Sequence, residues 1–178
     1  MNETHRGTDA GEASAAPRNV LVVGVGNILL SDEGVGVRVV EALQERYRLP
    51  DGVEVLDGGT CGMDLLDVIA GRDHLILVDA VNTGRPPGTL VRYADRDIPA
   101  AFRTKTSPHQ LGLADVLALL KLLDRAPRRV TVIGVEAASL GVGLELTPVV
   151  AARVEEAVQM VWAELGGAAS AVARAAAG

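Results

Sequence analysis

Aromatic residues are nearly missing from this sequence, with one Trp, two Tyr and one Phe in 178 residues. A core must then be built from Val, Leu, Ile and Ala, and a platform of rings for stacking nucleic-acid bases is excluded. Positive charge is also scarce: 17 Lys and Arg face 23 Asp and Glu, a net charge of -6, which opposes the counterion-releasing contacts that a phosphate backbone requires. Cysteine occurs once, at Cys61, so no disulfide can form within the chain. That fits a reducing cytoplasm, the expected location, and the thiol reads as a small packing residue rather than a nucleophile. No uninterrupted apolar run approaches the roughly 20 residues that span a bilayer, and residues 1–18 lack the apolar centre of a secretory signal. A soluble protein with neither nucleic acid nor membrane as partner is expected, and a monomer.

Aliphatic residues are what the chain has in quantity. A hydrophobic content of 48% over 178 residues supplies one compact domain with a single core. Residues 1–18, polar and small, read as a disordered extension, residues 19–165 as one α/β domain, and residues 166–178 as a flexible Ala/Gly-rich tail. Asn19 to Val25 is a short valine-rich run of the kind buried on both faces of a parallel sheet, and is expected as the central strand. Gly34 to Tyr47 then places Val35, Val39, Ala42, Leu43 and Arg46 at helical spacing, with Arg38, Glu41 and Glu45 on the wetter side.

Val53 to Leu56 reads as a strand, Met63 to Ala70 as a helix and His74 to Ala80 as a strand, giving successive β-α-β units. The loop Gly84-Arg85-Pro86-Pro87-Gly88 is too short for a parallel crossover, so Thr89 to Tyr93 is predicted to run antiparallel at an edge. Residues 94–109 form a long polar connection in which substrate contacts are expected. A helix over Leu111 to Leu123, a strand over Val130 to Val135 and a helix over Pro148 to Leu165 complete the chain, the last with Thr147 as N-cap and Pro148 at its first position. The fold class is α/β, a three-layer αβα sandwich around a five-stranded mixed, mainly parallel sheet.

In such a sheet, ligands bind outside the carboxyl ends of the strands. Asp32 and Glu33 follow the first strand, Asp57 ends the second and Asp79 ends the third, while His109 stands in the long connection before a helix. A Glu, an Asp and a His suit Zn²⁺, Ni²⁺ or Mn²⁺ with positions left for water or substrate. Spacing leaves a plainer reading open: Glu33 at a helix N-terminus, Asp79 capping a loop and His109 in a surface turn, since no compact ligand motif such as H-E-x-x-H is present.

Three ordered motifs add weight: Gly26-Asn27-Ile28-Leu29-Leu30-Ser31-Asp32-Glu33-Gly34, Leu56-Asp57-Gly58-Gly59-Thr60 and Ser107-Pro108-His109-Gln110-Leu111-Gly112. With these, the chain from about Asn19 to Leu165 closely resembles the [NiFe]-hydrogenase maturation endopeptidases. The resemblance implies one endoproteolytic cut that removes a C-terminal extension from the hydrogenase large-subunit precursor after nickel insertion. It implies Glu33, Asp79 and His109 as metal ligands for nickel supplied by the precursor, other divalent metals being able to fill the site in vitro. Asp57 matches a further motif of the family, and either it or Asp32 is a candidate general base because clustered carboxylates raise one another's pKa.

Other readings fit less well. Gly24-Val25-Gly26 follows a strand as a dinucleotide fingerprint would, but Leu29 replaces its third glycine, and two acids at a helix start would repel a pyrophosphate. A hydrolase using Ser107, Ser139 or Cys61 with His109 lacks a G-x-S-x-G elbow. The rival outside enzymology is a nickel-checkpoint chaperone that binds the same precursor without cutting it. His74 is expected at the end of its strand opposite Asp79.

Overall fold

The computed structural model describes residues 19–98 and 108–166, with the side chains of Arg96 and residues 108–112 excepted. Five strands form one sheet in the order β2-β1-β3-β5-β4: β1 (Val20–Val25), β2 (Val53–Gly59), β3 (His74–Val81), β4 (Leu90–Ala94) and β5 (Arg129–Glu136). The first three and β5 run parallel, whereas β4 pairs antiparallel with β5 at the edge, as the short loop before it requires. All six residues of β1 and all eight of β3 are buried, which is why these two strands read as unbroken apolar runs rather than alternating ones.

The helices lie in two layers, and the alternation of the strands assigns each residue to one of them. Val20, Val22, Ile76, Val78, Ile133 and Val135 pack with α1 (Val35–Arg46) and α5 (Val154–Glu164). Leu21, Val23, Leu75, Leu77 and Val132 pack with α2 (Leu66–Ile69) and α3 (Pro108–Leu122). Each fully buried aliphatic side chain contributes roughly 1.5–3 kcal/mol relative to exposure. The Tyr47 and Trp162 rings meet at 5.2 Å on the outer side of the first layer, so two of the few aromatics stay out of the centre. None of the described helices is long and apolar enough to cross a membrane.

Four expectations are corrected. Met63 to Ala70 is a 3-10 turn, Met63–Leu65, followed by the single turn of α2. The helix foreseen over Pro148 to Leu165 is split into α4 (Pro148–Ala151) and α5, with Arg153 N–H donating to the Val150 carbonyl at 2.9 Å between them. Thr147 has the extended backbone of an N-cap, but its side chain makes no capping bond; its hydroxyl donates to Asp32 Oδ2 instead. Cys61 is exposed rather than packed. Residues 1–18, most of the connection at 94–109 (residues 99–107), and residues 167–178 of the tail lie outside the described residues.

Candidate active site

Leaving the sheet, β1 makes a turn that only glycine permits. Gly26 has φ +132°, and a Cβ there would stand 1.8 Å from the Glu33 carbonyl oxygen. Asn27 Oδ1 then accepts from Leu29 N–H at 3.0 Å, an Asx turn that swings the chain into the 3-10 turn Ser31–Gly34 at the head of α1. The first turn of α1 lies directly on the sheet: a Cβ on Gly36 would come within 2.2 Å of the Val78 carbonyl and 2.3 Å of that of Val25. The two carboxylates of the first motif are thereby driven into the interior, and Asp32 and Glu33 are both buried.

The turn that carries Glu33 and the strand that carries Asp79 are in contact. Asp79 is the buried sixth residue of that strand, β3. From β1 the chain returns on one side of the sheet, to β2, and from β3 on the other, to β5. Their carboxyl ends therefore flank a topological switch point, where an open α/β sheet forms its ligand crevice. By alternation Asp79 belongs to the face covered by α3. The C-terminal end of α3 lies by the start of β3, since Gly71 N–H donates to the Arg125 carbonyl at 2.8 Å. Its first turn, which includes His109, is thus at the Asp79 end of the sheet; the His109 side chain is outside the described residues.

The other two acids have different roles. Asp32 is completely buried, and its carboxylate accepts from Ala138 N–H (2.9 Å), Ser139 N–H (2.9 Å), Thr147 N–H (2.7 Å) and the Thr147 hydroxyl (2.9 Å). Fully buried and accepting four hydrogen bonds, Asp32 is a structural acceptor with no face open to solvent, which speaks against its reading as a general base. It is a clamp between the 3-10 turn and the segment after β5. Asp57 is exposed on β2, two strands from β3 and about 10 Å away. Its Oδ1 accepts from Gly59 N–H at 2.8 Å, and by alternation it lies on the α1 face of the sheet, opposite that of Asp79.

Glu136, not singled out in the sequence, is a second clamp. Buried at the end of β5, it accepts from Thr83 N–H at 2.8 and 3.0 Å, from the Thr83 hydroxyl at 2.8 Å and from Gly84 N–H at 2.9 Å. It fixes the loop that leaves β3 just after Asp79. The only available signal was a glutamate closing a strand, Arg129–Glu136, that is mostly apolar after its first residue. Of the nucleophile candidates, Ser139 Oγ accepts from Gly141 N–H within its own loop, and Ser107 lies outside the described residues.

A family model described as hydrogenase maturation protease matches residues 37–164. The hydrogenase 2 maturation protease of Escherichia coli (strain K12) is 54% identical over 147 residues, which span 82% of this chain and 90% of that protein. Among solved structures, the hydrogenase maturating endopeptidase HybD from E. coli matches with a TM-score of 0.80 at 52% identity, over 83% of this chain and 92% of that one. The [NiFe] hydrogenase maturation protease HybD from Thermococcus kodakarensis matches with a TM-score of 0.67 at 30% identity, over 80% and 96% of the two chains.

Proposed function

The chain belongs to the hydrogenase maturation proteases, and is a peptidase; from that premise we propose that it removes the C-terminal extension of a [NiFe]-hydrogenase large-subunit precursor once nickel has been inserted. The observation that carries this reading is the burial of two carboxylates, Glu33 and Asp79, on elements that meet at the switch point of the sheet. Oxygen donors there, joined by the imidazole of His109, make a ligand set of the kind a borderline divalent ion accepts with sites to spare. Nickel enters as part of the substrate: the precursor presents it, and Glu33, Asp79 and His109 recognise it. Other divalent ions are able to occupy the same ligands in vitro.

The contribution of this chain is then positioning. Holding the metal-bearing precursor at carboxylates fixed by Gly26, Gly36 and the Asp32 clamp brings the scissile peptide to a constant place and turns an encounter into a unimolecular arrangement. A precursor without nickel offers those ligands nothing, so the cut waits for insertion. The reaction is assigned to the cytoplasm and to a monomer.

The test is the intact mass of a large-subunit precursor after incubation with this protein, with and without nickel loading. Loss of the C-terminal segment only from the loaded precursor is expected, and a Glu33→Ala, His109→Ala double variant should abolish it. Undiminished cleavage by that variant, or binding of the loaded precursor with no change of mass, would overturn the proposal; the second outcome is that of a checkpoint chaperone.

A further inference from the structure

Beside Glu33 the surface is apolar in a way that needs explaining. Ile28 is 40% exposed, Leu29 56%, Val142 93% and Leu144 62%. Single exposed aliphatic residues are ordinary, but contiguous ones mark binding surfaces. These four are contiguous although they are more than 100 residues apart in sequence. Leu30 and Gly143 form a parallel β-bridge, closed by Ser31 N–H donating to the Gly143 carbonyl at 2.8 Å and Gly143 N–H donating to the Leu29 carbonyl at 3.0 Å. In that register Val142 lies level with Leu29, and Leu144 is one step further on. Ile28 is held close by, with its Cα 2.9 Å from where a Cβ on Gly34 would stand.

We infer that this lip is the docking surface for an uncharged, apolar segment of the hydrogenase large-subunit precursor. The inference rests on the function proposed above and adds where the substrate is gripped. Three observations select this occupant. The lip is continuous with the site: Leu29 and Leu30 run straight into Ser31, Asp32 and Glu33, so a chain reaching Glu33 passes over it. Neither segment, 25–31 or 137–144, contains a charged residue of its own; Arg38, which donates to the Leu144 carbonyl at 3.4 Å, and exposed Glu145 stand at the Leu144 end, so over Leu29 and Val142 a charged strand would lose solvation without an opposite charge on the lip to offset it. Finally, the patch is small. Four such side chains expose on the order of 400 Å², about half of the ~800 Å² per partner that a stable complex buries. That is too little for a lasting dimer of this chain and suits a substrate that must leave.

The lip is also preorganised. The Asp32 carboxylate holds Ala138, Ser139 and Thr147 at either end of the 138–147 segment, and the bridge to Leu30 pins its middle. Binding there therefore spends little on ordering a loop.

The experiment measures the affinity of the full-length protein for nickel-loaded large-subunit precursor by calorimetry, and in parallel the rate of cleavage at rising enzyme concentration in single turnover. Val142→Glu and Leu29→Glu are compared with Leu122→Glu, which alters an equally exposed leucine at the end of α3 (80% exposed). Val142 is so exposed that the charge does not disturb folding, which unchanged melting would verify. The expected result is a Kd and a half-saturating concentration raised at least tenfold in the first two variants, with the plateau rate kept within about threefold and no change for Leu122→Glu.

Equal affinity of Val142→Glu and the unaltered protein would overturn the inference, as would a fallen plateau at unchanged affinity. So would a dimer in sedimentation that Val142→Glu dissolves, because the lip would then belong to a second copy. If the unaltered protein binds precursor but does not cut it, the proposed function fails and the docking surface is still decided by the affinities. If it does not bind precursor at all, both fall.

Discussion

The two ends of β3 are each closed by a buried polar side chain, His74 at the amino end and Asp79 at the carboxyl end, and their surroundings differ in kind. Around His74 the charges are balanced by long side chains. Glu164 takes Arg92 Nε at 2.6 Å and Arg129 Nη2 at 2.8 Å, and the Thr131 hydroxyl donates to it at 3.3 Å. That leaves the Thr131 lone pairs to accept from His74 Nε2 at 2.9 Å. Around Asp79, the buried acids Asp32 and Glu136 are instead met by backbone N–H groups and threonine hydroxyls. Arginines can turn toward water when a partner is lost; backbone donors cannot. One end is built to be stable and forgiving, the other to hold loops in a single geometry beside Glu33 and Asp79.

The largest expected effect is from breaking the rigid end. Asp32→Ala leaves three N–H groups and a hydroxyl, all in part-buried bonds, without their acceptor, each of which costs up to about 1–3 kcal/mol. Since some reach water after relaxation, a total loss of about 3–5 kcal/mol is expected, read as a Tm lower by roughly 10 °C. Cleavage should fall further than melting explains, because Glu33 and the segment carrying Val142 both lose their anchor. A Tm within a degree or two of the unaltered protein would show that the clamp is dispensable.

Gly36→Ala should come next, at about 1–3 kcal/mol by melting. In a helix alanine is intrinsically better than glycine, by up to about 1 kcal/mol and less in the first turn where Gly36 stands, so a net loss reports the steric term, the 2.2 and 2.3 Å approaches to the Val78 and Val25 carbonyls. Both obstacles are backbone and cannot rotate away. The head of α1 must lift, taking Glu33 from Asp79, and cleavage of loaded precursor should drop more than tenfold. A variant that melts higher and cuts normally would contradict the packing described for this helix.

The amino end should instead announce itself through pH. Burial pushes the His74 imidazole below its ordinary value of 6.5; Arg129 and Arg92 add to this, while Glu164 and Asp95 oppose it. Among the described residues, Nδ1 has no hydrogen-bond partner. The unfolded chain therefore binds this proton more readily than the folded one, so stability is full above about pH 6.5 and is lost as pH falls toward the depressed folded value. Burial pushes the Glu164 carboxyl up, but the hydrogen bond and charge of Arg92 and the charges of Arg129 and His74 outweigh it and hold the group below its ordinary 4.5. Its contribution is likewise lost on acidification, but in a lower window. Melting measured from about pH 7 down to about pH 3 should show two losses, and His74→Leu should remove the upper one alone. An unchanged upper loss in that variant would assign it to another group.

Much of this contrast was legible before the structure. The apolar runs of β1 and β3, the five-residue Gly/Pro loop that forces β4 antiparallel, and the packing of the turn after β1 against β3 all follow from local pattern and topology. So does the placing of His74 opposite Asp79. What could not be read was which of the acids would be satisfied by backbone. Asp32 and Glu33 are adjacent and chemically alike, yet the former is a clamp because residues 138–147, more than 100 positions later, fold back over it. Glu136 gave no signal beyond its place at the end of a strand. The breaks in the helices at 63–69 and 148–164 and the use of Thr147 as a donor to Asp32 are likewise settled by distant partners, not by propensity.

The smallest effect sharpens the comparison most. Arg92→Ala removes a short ion pair of the amino end, 2.6 Å between Nε and Glu164 Oε1, yet the loss should be below about 1 kcal/mol, or roughly 2–3 °C in Tm. Arg92 is half-exposed, and Glu164 retains Arg129 and the Thr131 hydroxyl, so no buried charge is stranded. Distance alone would rank this contact with the 2.7 Å bond from Thr147 N–H to Asp32. If Arg92→Ala instead cost as much as Asp32→Ala, the distinction between mobile and backbone partners would fail. A bond length within 0.1 Å would then predict stability better than the freedom of the donor to find water.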